Sequence, residues 1–195
     1  MKGLIRNTAI AMIILLLFFF TQGAIVVMGQ IEGTQSALIR GGVIWCLVVG
    51  TLLYFFIRNK NLQTLGFRKA EPGAAKKVLY YLPLLCIAFS NLICGFGIEG
   101  GIGFIWGNIF LTLGIGMAEE IYFRGIICQM WLERGKRQAI LISSVLFGIS
   151  HLMNIAGGAG PVATVFQICF AFTYGLVFAQ IFLISRSLIP CIFLH

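Results

Sequence analysis

Apolar residues gather along the chain in long runs separated by short polar connections. About six runs are each long enough to cross the ~30 Å hydrocarbon core of a bilayer as a helix, which takes roughly 17 to 25 residues. They extend approximately over Thr8 to Met28, Ala37 to Ile57, Val78 to Gly95, Gly103 to Trp131, Ala139 to Met153 and Val162 to Ile184, and Leu188 to His195 opens another. Helix is the conformation such a medium demands, because helical backbone satisfies its own hydrogen bonds where water is absent. The pattern therefore predicts an all-α fold, a polytopic membrane helical bundle of about six transmembrane helices plus the start of a seventh. No internal repeat or low-complexity linker divides residues 1–195, so a single membrane-embedded domain is expected.

Composition agrees. Of the 195 residues 59% are hydrophobic and 10% charged, with a mean hydropathy of +1.00, which excludes an ordinary soluble domain. The first run follows Lys2 and Arg6 as a signal sequence would, but "FFTQGA" lacks the small-x-small pattern of a cleavage site, so a retained anchor is expected. In a soluble protein the net charge of +8 would suggest a nucleic-acid partner. Here its distribution gives it another meaning, and no nucleic-acid partner is expected. Lys2 and Arg6, then Arg58, Lys60, Arg68, Lys69, Lys76 and Lys77, then Arg134, Lys136 and Arg137, then Arg186 fall on alternate connections; the others hold only Glu32, Arg40 and Glu99. By the positive-inside rule this places the N-terminus in the cytoplasm.

Six cysteines, Cys46, Cys86, Cys94, Cys128, Cys169 and Cys191, lie mostly within apolar runs without C-x-x-C spacing, and read as small core hydrophobes. The longest polar connection, "RNKNLQTLGFRKAEPGAAKK", interleaves leucine and phenylalanine with cations. It is expected either to lie along an anionic headgroup surface or to form a solvated loop. Gly97 with Gly101, Gly103 with Gly107, and then Gly114 and Gly116 supply small positions that suit a fourth helix buried in the bundle.

Into this apolar background "MAEEIYFRGII" sets Glu119, Glu120 and Arg124. An ionised side chain at mid-bilayer costs a few kcal/mol, so it faces a partner or a wet cavity. Glu120 and Arg124 are four residues apart and can pair on one helix face; Glu119 is turned about 100 degrees away. One reading is a structural pair with Glu119 reaching water. The other is a catalytic Glu119 whose pair of neighbours braces it, since burial and nearby negative charge favour proton transfer by a carboxyl group. In "SSVLFGISHLMN", Phe147 and His151 share a face. Glu119 lies roughly 18 Å from the Trp131 end of its helix and His151 is at a similar depth on the next, so the two can meet across the "ERGKR" turn. A carboxylate and an imidazole can position and deprotonate a water, directly or through a metal ion. His195 ends the chain at a depth from which it too could reach the cavity.

These residues resemble the CPBP family of intramembrane proteases, also called the Abi or CaaX-protease domain, which includes the type II CaaX prenyl endopeptidases. "EEIYFR" is similar to the family's E-E-x-x-x-R and "FGISH" to its F-x-x-x-H, and the resemblance covers at least Gly103 to His195. His195 matches the histidine of the third motif, H-x-x-x-N. The polar position of that motif would fall four residues later, so a chain truncated at its C-terminus is expected. The resemblance implies that Glu119 and His151 activate the attacking water and that His195 stabilises the oxyanion. It implies further that Glu120 and Arg124 support the site while Phe147 packs beneath His151. A divalent metal such as zinc, with Glu119, His151 and His195 as candidate ligands, is compatible with it, although no H-E-x-x-H occurs. It further implies a peptide or protein substrate, lipidated or a bacteriocin, in a bacterial cytoplasmic membrane, with roles in bacteriocin immunity or peptide maturation. Two other readings of the same charges are a non-catalytic membrane partner acting through helix contacts and a small proton-coupled transporter. The second lacks an inverted repeat.

Overall fold

A computed structural model describes residues 1–79 and 101–195. Apart from Val78 and Leu79, the third expected run, with Cys86, Cys94, Gly97 and Glu99, lies outside the described residues. Elsewhere the apolar runs are helices: α1 (Lys2–Met28), α2 (Gly33–Asn59), the short α3 (Ala74–Val78) and the long α4 (Gly101–Arg134). After these come α5 (Lys136–Ser150), α6 (Met153–Ala156), α7 (Pro161–Ser185) and α8 (Ile189–Leu194). Among the described residues there is no strand, and five helical stretches are long and apolar enough to cross a membrane: α1, α2, α4, α5 with α6, and α7. They coincide with the five expected runs other than the third, and α8 lies in the further one.

The sequence did not announce the geometry of α4. It is α-helical through Glu120, π-helical over Ile121–Cys128, and closes with Gln129–Trp131 and a 3₁₀ turn, Leu132–Arg134. A π segment bonds i to i+5 and is wider than an α-helix, so neighbours must fill around it. Here every residue of it except Ile126 is buried. The Ser143 hydroxyl of α5 donates to the Phe123 carbonyl inside it, 2.8 Å away.

Helix α4 is the bundle's centre. Helix α2 packs along its first half, α1 and α5 meet its π segment, α7 covers α5, and α8 returns against α7 and α4. Small residues set these approaches. A Cβ added at Gly107 would lie 3.2 Å from that of Ala37, and Gly114 sits beside Trp45, whose Nε1 donates to the Phe110 carbonyl at 3.0 Å. Between α5 and α7, a Cβ at Gly175 would come within 2.9 Å of Ser144 Cα. Cys128 and Cys191 occupy the core as expected, whereas Cys46 and Cys169 are exposed.

The polar connection after α2 is neither a free loop nor a plain surface strip over its first half. Leu65 is fully buried, the Leu188 N–H donates to the Gly66 carbonyl at 2.9 Å, and the Glu71 N–H donates to the Ser185 carbonyl at 2.9 Å. The Ser187 hydroxyl donates to the Arg68 carbonyl, and Arg68 Nε to the Arg186 carbonyl. The Ser185 and Arg186 carbonyls and the Leu188 N–H of the turn between α7 and α8 find their partners in this strap. The strap thereby fixes the direction in which α8 sets out.

Candidate active site

Glu119 and Glu120 are the last two residues of α geometry in α4. Glu120 and Arg124 are fully buried, and Arg124 Nη1 donates to Glu120 Oε1 at 2.8 Å. Neither charge could be held there alone, because an unpaired buried ion costs several kcal/mol. Glu120 Oε2 and Arg124 Nε and Nη2 make no hydrogen bond among the described residues. The guanidinium instead lies over two rings, 4.6 Å from the centre of Phe147 and 5.3 Å from that of Phe178, where the ring faces attract its charge.

His195, at the end of α8, bridges the two glutamates. Its Nδ1 lies 2.9 Å from Glu120 Oε1 and its Nε2 lies 3.1 Å from Glu119 Oε2. A neutral imidazole has one N–H, whereas two carboxylate oxygens face its two nitrogens, so the cluster holds both contacts only with an extra proton among its members. Gly116 makes the room: a Cβ there would stand 3.1 Å from His195 Cδ2. On another side the Phe178 ring lies 5.7 Å away, tilted by 34°. Exposure separates the partners, since the Glu119 side chain is 11% exposed and that of His195 20%, while Glu120 is sealed. Glu119 is the carboxylate that a water or a substrate can reach.

His151 caps α5 and is half-buried. Its Nδ1 lies 3.0 Å from the Phe147 carbonyl. A carbonyl only accepts, so Nδ1 carries the hydrogen and Nε2 presents a lone pair. Among the described residues Nε2 makes no hydrogen bond. Phe147 forms the wall between the two imidazoles, edge-on to His151 with centres 5.3 Å apart and to His195 at 6.3 Å.

The fold thus gathers Glu119, Glu120, Arg124, His195 and Phe147 in direct contact, and brings His151 to the same phenyl ring. Among the described residues Glu119 and His151 share no hydrogen bond; the carboxylate–imidazole contact of Glu119 is made by His195. The reason is local, as the His151 ring is turned back onto its own helix by the Phe147 carbonyl. The sequence reading missed Gly116 as the seat of His195 and Phe178 as its second wall. Gly116 had been noted only as a small residue, and Phe178 is one of 18 phenylalanines with nothing in its spacing to mark it.

The metal reading does not fit this arrangement. Among the described residues no three His, Cys, Asp or Glu side chains are grouped so as to hold an ion. Both nitrogens of His195 already face carboxylates, and Nδ1 of His151 is committed to a carbonyl.

Residues 101–195, which include the residues of this site, match the family model described as type II CAAX prenyl endopeptidase Rce1-like. Neither the curated proteins nor the solved structures include a match to the chain.

Proposed function

We propose, from the match of residues 101–195 to an Rce1-like family model, an intramembrane endopeptidase in which Glu119, His151 and His195 act on a water and a scissile carbonyl. The observation that carries this reading is the inequality of the two glutamates around His195: Glu119 reachable, Glu120 sealed against Arg124. In the resting site His195 Nε2–H is held by Glu119. A substrate carbonyl oxygen that takes over this N–H leaves Glu119 free as a base. The lone pair on His151 Nε2 accepts a hydrogen bond from the attacking water and aims it. Glu119 removes a proton as the water oxygen bonds to the carbonyl carbon, and the oxyanion is stabilised by His195. Collapse breaks the C–N bond, and Glu119 returns its proton to the leaving amine. Glu120 and Arg124 hold the imidazole's far side throughout.

The same proposal places the N-terminus in the cytoplasm of a bacterial cell, as the distribution of cations supports, and assigns the chain to peptide maturation or bacteriocin immunity. A lipidated or bacteriocin substrate is compatible with a site reached from within the bilayer.

The test is peptide profiling of membranes from cells that make the wild-type chain, Glu119→Gln, His151→Ala or His195→Ala. Each variant is expected to lower release of the dependent peptides by about 100-fold or more, while detergent-extracted protein keeps its wild-type amount and melting profile. Peptide patterns indistinguishable between wild type and Glu119→Gln would overturn the reading. So would an equal loss of folded protein in all three variants, which would mark the cluster as structural.

A further inference from the structure

Near their connecting turn α1 and α2 are joined by Arg40 Nε donating to the Gln22 amide oxygen. Between their other halves lies a cavity of about 600 Å³. Its walls are α1 from Asn7 to Phe18 and α2 from Cys46 to Phe55, and its floor is Tyr122, Ile126 and Met130 of α4. Tyr122 is about half a helical turn from Arg124, so this floor is the back of the helix that carries the candidate active site. The cavity is thus a separate place.

Three observations define its occupant. The lining is apolar apart from Asn7, the Cys46 thiol and the hydroxyls of Tyr54, Thr51 and Tyr122, the last two of which satisfy each other at 3.1 Å. A peptide backbone lying there would lose its hydrogen bonds to water and find few in return. From Asn7 to Phe18 the cavity follows α1 for about 16 Å, half of the ~30 Å hydrocarbon core and therefore one leaflet. At the Asn7 and Phe55 end stand four exposed cations, Lys2, Arg6, Arg58 and Lys60, whose side chains make no ion pair among the described residues. Neither residues 1–18 nor residues 46–70 contain an acidic residue, and Glu133 at the nearby end of α4 is outnumbered by Arg134, Lys136 and Arg137.

We propose that this cavity binds an anionic phospholipid of the surrounding membrane, with one acyl chain on Tyr122, Ile126 and Met130 and its phosphate against Arg6 and Arg58. The lipid thereby supports the π segment of α4 from behind.

The experiment is lipid analysis of the full chain purified in detergent from vesicles of equal phosphatidylglycerol and phosphatidylcholine. About one phosphatidylglycerol per chain is expected to remain, preferred over phosphatidylcholine by about 30-fold, the effect of two cations near the headgroup. Arg6→Gln with Arg58→Gln should retain a lipid but lose the preference. Gly50→Leu should retain neither, because Gly50 lines the cavity and an added Cβ there meets nothing within 4 Å. The change also favours helix, so the variant is expected to fold; its melting temperature, read in parallel, checks that. Equal retention of both lipids by wild type would overturn the proposal, as would undiminished phosphatidylglycerol on folded Gly50→Leu. Displacement of the lipid by a co-purifying protein helix would overturn it too.

Discussion

One imidazole stands between two carboxylates, and burial assigns them different work. Glu120 cannot exchange its partners for water, so its contacts with Arg124 and His195 are permanent features of the folded chain. Removing the guanidinium would leave Glu120 in a sealed site with His195 as its remaining partner. We expect Arg124→Met to cost about 3 to 5 kcal/mol of stability, read as a lower yield and melting temperature in detergent, with partial recovery when combined with Glu120→Gln. The acidic pair and Arg124 were legible in the sequence because charges are so few in these runs. The bridging of both carboxylates by His195 was not. Glu119 and Glu120 are about 100 degrees apart on a helix, and an imidazole, with two nitrogens on different sides of the ring, spans that angle. The opposite holds for His151, whose spacing from Phe147 was plain but whose ring is turned by a backbone carbonyl that no sequence pattern encodes.

At the scale of elements, the site depends on how closely α8 can lie against α4. Gly116 is the contact point, one turn before Glu120, and a methyl group there would press on His195 Cδ2 at 3.1 Å. Gly116→Ala is expected to shift the imidazole by a few tenths of an ångström. Peptide release should fall about tenfold, because catalysis is sensitive to small misplacement, while the melting temperature changes little, since alanine favours helix at that position. A structural role alone for His195 would leave activity intact and move only stability. The helices themselves were legible from apolar run length. The π segment was not, because "IYFRGIIC" is as apolar as its surroundings and its one irregular residue, Gly125, is no rarer than glycine elsewhere in the chain. What sustains the wider turn is a hydroxyl on another helix, Ser143, and packing on all sides.

Across the whole molecule, the chain joins distant segments around α4, and the strap over residues 62–71 is among the furthest-reaching of these links. Leu65 anchors it, with its carbonyl 2.9 Å from where a Cβ on Gly125 would be. Truncating this fully buried side chain should destabilise the strap by about 2 to 5 kcal/mol. In Leu65→Ala we therefore expect amide exchange at residues 185–188 to accelerate together with that at 62–71, and peptide release to fall although no catalytic group is altered. Unchanged exchange at 185–188 would show that the two segments are independent. The sequence displayed the strap's cations but not its bonds to the turn between α7 and α8, all of which end on a main-chain carbonyl. Because the last histidine is aimed by a tether whose knot lies among the charged residues at the end of the helices, a protease nick, a bound adaptor or a bulky adduct on that tether would alter the contacts of His195 with Glu119 and Glu120 without entering the lipid.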